Sequence, residues 1–216
     1  MNPGNLLIFG DSYSTFEGYI PEGYHVYYIN AGRPETDVRD VRETWWHKLC
    51  EKTGANLVLN DSWSGSTICY TGYNGVDCSE TSSFICRLRK LKAEGFFREN
   101  RIDTVIIFGG TNDSWAGVPT GELQFSDWKK EDLHTILPAV CCMIAETREI
   151  LPEARILCIA NCGIRDAVRA GIRDAAAHYG VDCLVLDDVD KQCGHPTVQG
   201  MDDIFRAVLA TLEKYI

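Results

Sequence analysis

Four residues whose side chains or amides can do chemistry each lie close to the end of an apolar run. Ser12 follows "LLIFGD", Gly65 follows "NLVLNDSWS", Asn112 follows "TVIIFGGT", and His195 lies just before the last helical stretch. A serine with a histidine base can transfer an acyl group, while a glycine amide and an asparagine side chain can bind the oxyanion. The turn at Ser12 has a second interpretation, an anion cradle of amides and hydroxyls. That cradle needs neither His195 nor Asn112, so acyl transfer is favoured.

The elements that must position these residues alternate along the chain. Five short apolar runs are typical of strands buried on both faces of a sheet, and they span 5–12, 56–62, 103–110, 155–161 and 181–188. Stretches with helical spacing occur at 42–54, 79–95, 130–152, 164–180 and 197–216. This alternation predicts an α/β fold, a three-layer α/β/α sandwich around a five-stranded parallel sheet. Ligands bind such sheets at the carboxyl ends of the strands, where the four residues would meet.

The helical stretches carry their own boundary signals. Gly54 is expected to end the first helix, and the second is expected to begin at Ser79 as N-cap and to close on Gly95. Pro138 lies inside the third stretch, so that helix should begin near it or kink there.

The whole chain, residues 1–216, is interpreted as a single domain with one irregular insertion at about 16–41. This insertion has neither a helical nor a strand period, and it follows directly on the Ser12 turn. Its tyrosines, Tyr24, Tyr27 and Tyr28, either line a pocket or pack the loop down. An ordered loop of this length beside a site is more often functional than idle.

The composition excludes several classes of partner and cofactor. The 216 residues carry 21 Lys+Arg against 31 Asp+Glu, a net charge of −10 that disfavours nucleic acid and membrane surfaces. Ten cysteines occur without a C-x-x-C pair, and Cys158 and Cys183 lie inside strand-like runs. Buried thiols in a reducing compartment are the simplest interpretation, so we expect a cytoplasmic protein with no metal site. The oligomeric state cannot be derived from these features.

Four blocks of the sequence resemble those of the SGNH hydrolases, also called GDSL-type esterases. "GDSYS" at 10–14 is similar to the first block, "SWSGST" at 62–67 to the second and "GTND" at 110–113 to the third, while His195 matches the block near the C-terminus. The resemblance spans nearly the whole chain and implies a flavodoxin-like sheet with no cofactor. It implies Ser12 as nucleophile, His195 as base, and an oxyanion hole formed by Ser12, Gly65 and Asn112.

Two positions depart from the family pattern. Tyr13 stands where the usual signature has leucine, and Gln192 stands where an aspartate normally orients the histidine. Gln192 can accept a hydrogen bond but supplies no charge. Asp190 can take over the role, as can Asp187 or Asp188, or a backbone carbonyl can orient the ring and leave a Ser-His dyad. We favour the dyad over an Asp190 triad, and the third member stays open.

The resemblance implies an ester substrate, which we expect to be a short acyl ester, an acetyl ester of a carbohydrate above all. Tyr13 and Trp115 are expected to line its site, since aromatic rings stack on sugars. Two alternatives come from other classes. One is a flavodoxin-like module that binds a flavin or nucleotide, and the other is a weakened hydrolase fold used for interaction.

Overall fold

A computed structural model describes residues 2–214. Its main sheet has five parallel strands: β1 (Asn5–Gly10), β2 (Asn56–Ser62), β3 (Thr104–Gly109), β4 (Arg155–Ala160) and β5 (Asp182–Val185). Their order is β2-β1-β3-β4-β5. All five predicted strands are confirmed, and only the last is markedly shorter than expected. The carboxyl ends of β2, β1 and β3 lie side by side, so the turns after these three strands are neighbours.

Helices cover both faces of this sheet, which confirms the three-layer architecture. The helices span Trp45–Thr53 (α1), Phe84–Ala93 (α2), Phe96–Glu99 (α3), Thr111–Trp115 (α4), Ile136–Ile150 (α5), Asp166–Tyr179 (α6) and Val198–Glu213 (α7). On one face, residues such as Leu7 and Phe9 of β1 pack with α2, α5 and α6. On the other, Leu6 and Ile8 pack with α1 and α7.

The predicted helix boundaries are partly confirmed. Gly54 ends α1 with a φ of 72°, and Pro138 is the third residue of α5, where its missing N–H costs little. The N-cap prediction at Ser79 is wrong. Ser83 caps α2 by accepting a hydrogen bond from Cys86 N, while the N–H of Ser79 donates to the Asp77 carboxylate in the preceding loop.

Residues 16–40 form a loop with one isolated bridge, between Arg33 and Thr36, and no helix or strand. The loop is anchored by the fully buried side chains of Phe16, Tyr28 and Val38, which join the core on the α1/α7 face. Most of its length therefore has a fixed path over the carboxyl edge of the sheet.

A small hairpin lies outside the main sheet and carries His195. Its strands, β6 (Lys191–Gln192) and β7 (His195–Pro196), are antiparallel and pair Gln192 with His195. The two residues between them, Cys193 and Gly194, have φ values of 49° and 79°. Positive φ at both central residues is the geometry of a type I′ turn.

All ten cysteines are free thiols, of which six are buried, three are half-buried and only Cys193 is exposed. No helix within residues 2–214 is long and apolar enough to cross a membrane. The cytoplasmic location stays a prediction.

Candidate active site

The nucleophile candidate, Ser12, begins a short 3-10 turn directly after β1. Asp11 caps the turn, and its carboxylate accepts a hydrogen bond from Tyr13 N at 3.0 Å. A side chain at Gly10 would collide with Ser62 and Ser14, so the strand must end on a glycine to bring the turn against β2. The Asp11 carboxyl group already occupies the Tyr13 N–H, which is then not free to bind a phosphate, and this disfavours the anion-cradle interpretation. The Ser12 side chain is only 4 % exposed.

The base candidate, His195, meets Ser12 across the mouth of the sheet. Its Nε2 lies 3.0 Å from Ser12 Oγ, and its Nδ1 lies 3.2 Å from the carbonyl oxygen of Cys193. A carbonyl only accepts hydrogen bonds, so Nδ1 carries the proton in the neutral ring. The lone pair of Nε2 then faces the Ser12 hydroxyl, which is the arrangement that proton abstraction requires.

Aromatic rings enclose the His195 imidazole on several sides. Tyr27 stacks on it with ring centroids 3.6 Å apart and planes 8° apart, and Trp115 approaches edge-on at 5.9 Å. Burial lowers the pKa of His195 from its ordinary value, while the Cys193 carbonyl raises it and the positive charges of Arg33 and Lys191 lower it further. The ring is therefore a neutral base near pH 7.

The oxyanion-hole candidates follow the two strands that flank β1. Asn112 lies on α4 after β3, and its Nδ2 donates to Ser66 O at 2.9 Å, which ties it to the loop after β2 that carries Gly65. The second amide N–H of Asn112 has no protein acceptor among the described residues. The same holds for the backbone N–H groups of Ser12 and Gly65 within residues 2–214. Three unused donors at one edge are what an oxyanion hole needs.

The side chains considered as orienting groups for His195 have other partners. Gln192 Nε2 donates to Pro34 O at 3.1 Å, although Gln192 lies directly across the hairpin from His195. The Asp190 carboxylate accepts from the Thr197 hydroxyl and thereby closes the hairpin. Asp187 pairs with Arg169, and Asp188 caps its own following amide, Val189 N. The backbone carbonyl is thus the described acceptor at Nδ1.

The two residues expected to line the substrate site differ in exposure. Trp115 is 42 % exposed beside His195, as expected. Tyr13 is fully buried and presents no surface to a substrate, which corrects that expectation. Its ring packs edge-on against Phe108, and its hydroxyl donates to Gly194 O at 2.5 Å. Tyr13 belongs to the support of the hairpin.

Sequence reasoning missed Tyr73 altogether and left Tyr28 open between a pocket wall and a residue that packs the loop down. Tyr73 lies on a separate turn and donates from Oη to Asn112 Oδ1 at 2.9 Å. Together with the bond to Ser66 O, this contact fixes which way the Asn112 amide faces. Tyr28, from the long loop, donates to Pro196 O at 2.9 Å.

A buried ion pair supports the sheet edge beneath these groups. Arg87 of α2 bonds to the Asp61 carboxylate at 2.8 Å, and both side chains are 1 % exposed. The same guanidinium donates to Gly10 O at the end of β1 and to Ser66 Oγ. Arg87 therefore links the strand that carries Ser12 to the loop that carries Gly65.

A second buried carboxylate joins the same loop to α4. Asp113, next to Asn112, accepts hydrogen bonds from Ile68 N and Cys69 N at 3.0–3.1 Å. Burial raises the pKa of Asp113, although its amide donors act in the opposite direction. The aspartate of the "GTND" block thus has a structural role.

Comparisons with known proteins identify the family and agree with the fold. A family model described as GDSL-like lipase/acylhydrolase matches residues 4–212. Crystal structures of candidate GDSL-like lipases from Bacteroides ovatus and Bacteroides uniformis resemble the chain with TM-scores of 0.90 and 0.89. Their sequence identities are 39 % and 40 %, over 98 % and 97 % of this chain and 98 % and 95 % of theirs.

A more distant relative shares the fold. An acetyl xylan esterase from Butyrivibrio proteoclasticus is 17 % identical, with a TM-score of 0.63 over 98 % of this chain and 64 % of its own. A search of curated protein sequences found no match. The family match covers nearly the whole chain, and two solved structures support it at about two-fifths identity. The chain therefore belongs to the GDSL-like lipase/acylhydrolase family of ester hydrolases.

Proposed function

We propose that the chain is a serine esterase that removes short acyl groups, acetyl above all, from a carbohydrate through an acyl-enzyme on Ser12. The observation that carries the proposal is the 3.0 Å contact between Ser12 Oγ and His195 Nε2, with Nδ1 held by a carbonyl. No other hydroxyl in the described structure contacts this imidazole. A nucleophile and a base within hydrogen-bond reach, with the base oriented by a third group, are the basis of covalent acyl transfer.

In the proposed first step, His195 Nε2 takes the proton of Ser12 while Oγ attacks the ester carbonyl. The resulting oxyanion is bound by the amides of Ser12 and Gly65 and by the Asn112 side chain. His195 then gives its proton to the leaving alcohol as the tetrahedral intermediate collapses to the acyl-enzyme. A water molecule, deprotonated by the same Nε2, releases the acid and restores Ser12.

The proposed machinery is a dyad, because the Cys193 carbonyl orients the ring without adding a negative charge. In Ser-His-Asp enzymes, removal of the acid's charge lowers turnover by up to ~10⁴-fold, largely because the wrong tautomer is then populated. Here the carbonyl holds the productive tautomer. The dyad therefore lacks the charge of the acid and keeps its orienting function.

Three features favour a small acyl group on a sugar. Ser12 is almost fully buried, which leaves little room for a long acyl chain. Exposed aromatic rings lie beside the site, Trp115 at 42 % and Tyr73 at 40 %. The half-buried rings of Tyr24 and Trp63 contact each other at a tilt of 32°, with centroids 4.2 Å apart. Such rings bind sugar faces. The distant relative from Butyrivibrio is, by its name, an esterase of acetylated xylan.

The experiment that tests the proposal is labelling with a fluorophosphonate probe, with the label located by mass spectrometry. We expect one label per chain on Ser12, none in Ser12→Ala, and slow labelling in His195→Ala. Ser126→Ala is the matched control, since this serine is exposed and its hydroxyl bonds only to the Asp127 carboxylate among the described residues. A folded wild-type protein that takes no label would contradict the proposal and favour the weakened hydrolase fold used for interaction.

The substrate part of the proposal has its own test. Acetylated xylo-oligosaccharide and p-nitrophenyl esters of acetate, butyrate and octanoate are compared by kcat/KM. We expect the value to fall steeply beyond acetate, and Trp115→Ala to weaken the reaction with the oligosaccharide more than that with p-nitrophenyl acetate. Equal losses of kcat/KM on both substrates would contradict a carbohydrate substrate. A higher kcat/KM for the octanoate ester than for the acetate ester would contradict acetyl specificity.

A further inference from the structure

The two departures of the sequence from the family pattern meet at the same place in the structure. Gln192 replaces the acid that normally orients the histidine, and its side chain bonds to Pro34 O instead. Tyr13 replaces the leucine of the first block, and its hydroxyl bonds to Gly194 O, next to His195. A leucine side chain has no donor, so this contact depends on the departure itself.

A second tyrosine makes the equivalent contact on the other side of His195. Tyr28 Oη donates to Pro196 O at 2.9 Å, so the carbonyls before and after the histidine each accept a tyrosine hydroxyl. Both rings are fully buried, and burial raises both pKa values above the usual value for tyrosine. Both hydroxyls therefore keep their proton, and can donate it in a hydrogen bond, near neutral pH.

The hairpin needs such contacts because it is too small to hold itself. Each strand has two residues, and an isolated hairpin is marginally stable in water. The angle at which Nδ1 meets Cys193 O and Nε2 meets Ser12 Oγ depends on the placement of the peptide planes around His195. Tyr13 holds the peptide plane that joins Gly194 to His195, and Tyr28 holds the next but one, between Pro196 and Thr197.

We propose that the hydroxyls of Tyr13 and Tyr28 are the positioning groups that replace the missing acid in orienting His195, an inference that rests on the proposed function of Ser12 and His195. They fix the hairpin from both sides of the histidine, so that a backbone carbonyl suffices to select the tautomer. They supply orientation and no charge, and neither touches the reacting atoms.

The test uses Tyr13→Phe, Tyr28→Phe and the double variant, which keep the buried rings and remove only the hydroxyls. Tyr19→Phe is the matched control, because Tyr19 is 47 % exposed and its hydroxyl has no protein partner among the described residues. The kcat and KM for p-nitrophenyl acetate are measured per active site, counted by fluorophosphonate titration. The tautomer of His195 is read from long-range ¹H–¹⁵N NMR correlations.

We expect kcat per site to fall about 5- to 20-fold in each single variant, the equivalent of one hydrogen bond, with KM within about two-fold of wild type. Wild-type His195 should show the Nδ1–H tautomer, and the double variant should show a mixture of both tautomers. Tyr19→Phe should match wild type in every measurement.

The inference is overturned if kcat per site and the tautomer are unchanged in the double variant. It is also overturned if the lower activity of a variant is explained entirely by fewer titratable sites, which is the result of a merely structural role. Failure of the proposed function looks different, since wild type itself would then take no label. The tautomer comparison still decides this inference in that case, because it needs no turnover.

Discussion

Ser12 and His195 stand 3.0 Å apart, yet the regions that hold them differ in almost every physical respect. Ser12 follows a central strand of a five-stranded sheet and is supported from below by the buried pair of Arg87 and Asp61. His195 lies on a hairpin outside that sheet, with exposed neighbours at 192–194. The hairpin is held by neutral hydrogen bonds from Tyr13 and Tyr28 to its carbonyls.

This contrast separates what the fold requires from what the reaction requires. The sheet edge is supported by the buried ion pair of Arg87 and Asp61. Loss of one partner leaves the other charge unpaired in a part of the protein that excludes water. Damage there should appear first as lost stability. The hairpin lies outside the sheet and is held by individual hydrogen bonds, among them those from the buried Tyr13 and Tyr28 hydroxyls, so damage there should appear as lost activity in a folded protein. The four predictions below test this division, from the largest expected effect to the smallest.

Arg87→Met is expected to lower the free energy of unfolding by about 3–5 kcal/mol, because it leaves the buried Asp61 carboxylate without its partner. Urea unfolding followed by circular dichroism measures the change. Arg101→Met is the control, since Arg101 is 83 % exposed in its pair with Asp103 and should cost less than ~1 kcal/mol. Equal unfolding midpoints for the two variants would show that the buried ion pair stabilises the sheet edge no more than an exposed pair does.

Asn112→Ala is expected to lower kcat for p-nitrophenyl acetate by about 10²- to 10³-fold, since one oxyanion donor is lost. KM should change little, because the donor acts mainly on the transition state. Steady-state kinetics on protein with a measured unfolding midpoint separates the rate effect from lost stability. A kcat close to that of wild type would remove Asn112 from the oxyanion hole.

Tyr73→Phe is expected to lower kcat about tenfold, because the Asn112 amide then loses one of the two bonds that orient it. The same change made in Asn112→Ala should have no further effect on kcat, since its target is gone. A double-mutant cycle measures this coupling. Additive losses in the cycle would show that Tyr73 acts through another group, such as the substrate.

The activity is expected to fall on the acid side with a midpoint below about pH 6.5, the ordinary value for histidine. Burial lowers the pKa of His195, so the base stays neutral to lower pH, and the rate is lost only as the pH falls through that lowered value. Trp115→Ala admits water to the ring and should move the midpoint upward by less than ~1 pH unit. The pH profile of kcat/KM measures both, and a wild-type midpoint above 6.5 would contradict the prediction.

The same contrast explains how much the sequence could predict. Ser12, Gly65 and Asn112 follow neighbouring parallel strands, so apolar runs and the rule for carboxyl edges bring them together without knowledge of any side-chain contact. His195 has no such rule. Its position after the fifth apolar run predicts the same edge of the sheet, but nothing in the sequence predicts the two-residue strand outside the main sheet that carries it.

The residues that support the site could not be found in the sequence, because their contacts join distant positions in irregular segments. Tyr28 and Pro196 are 168 residues apart, and Tyr73 and Asn112 are 39 apart. Tyr13 drew attention as a departure from a motif, but its type alone does not distinguish a pocket wall from a buried support. Only the packing around its ring decides this.

Local signals also have limits where several candidates are close together. Ser79 and Ser83 both precede an apolar helical run, and sequence preference does not choose between them. The structure selects Ser83 because Phe84 must enter the core as the first helical residue, where it is fully buried. The packing of Phe84 thus fixes a boundary four residues later than the one predicted.

The two-residue turn of the hairpin also constrains how the length of this chain can vary. Most surface loops accept insertions and deletions, and the segment 16–40 has room for them away from its anchors. One residue added between Gln192 and His195 would move the histidine to the opposite face of its strand, because successive side chains alternate. Only Cys193 and Gly194 lie between the two residues, and a two-residue turn gives this spacing to partners directly across a ladder. Among homologous sequences, this interval should be invariant in length even where the residue at 192 is not an acid.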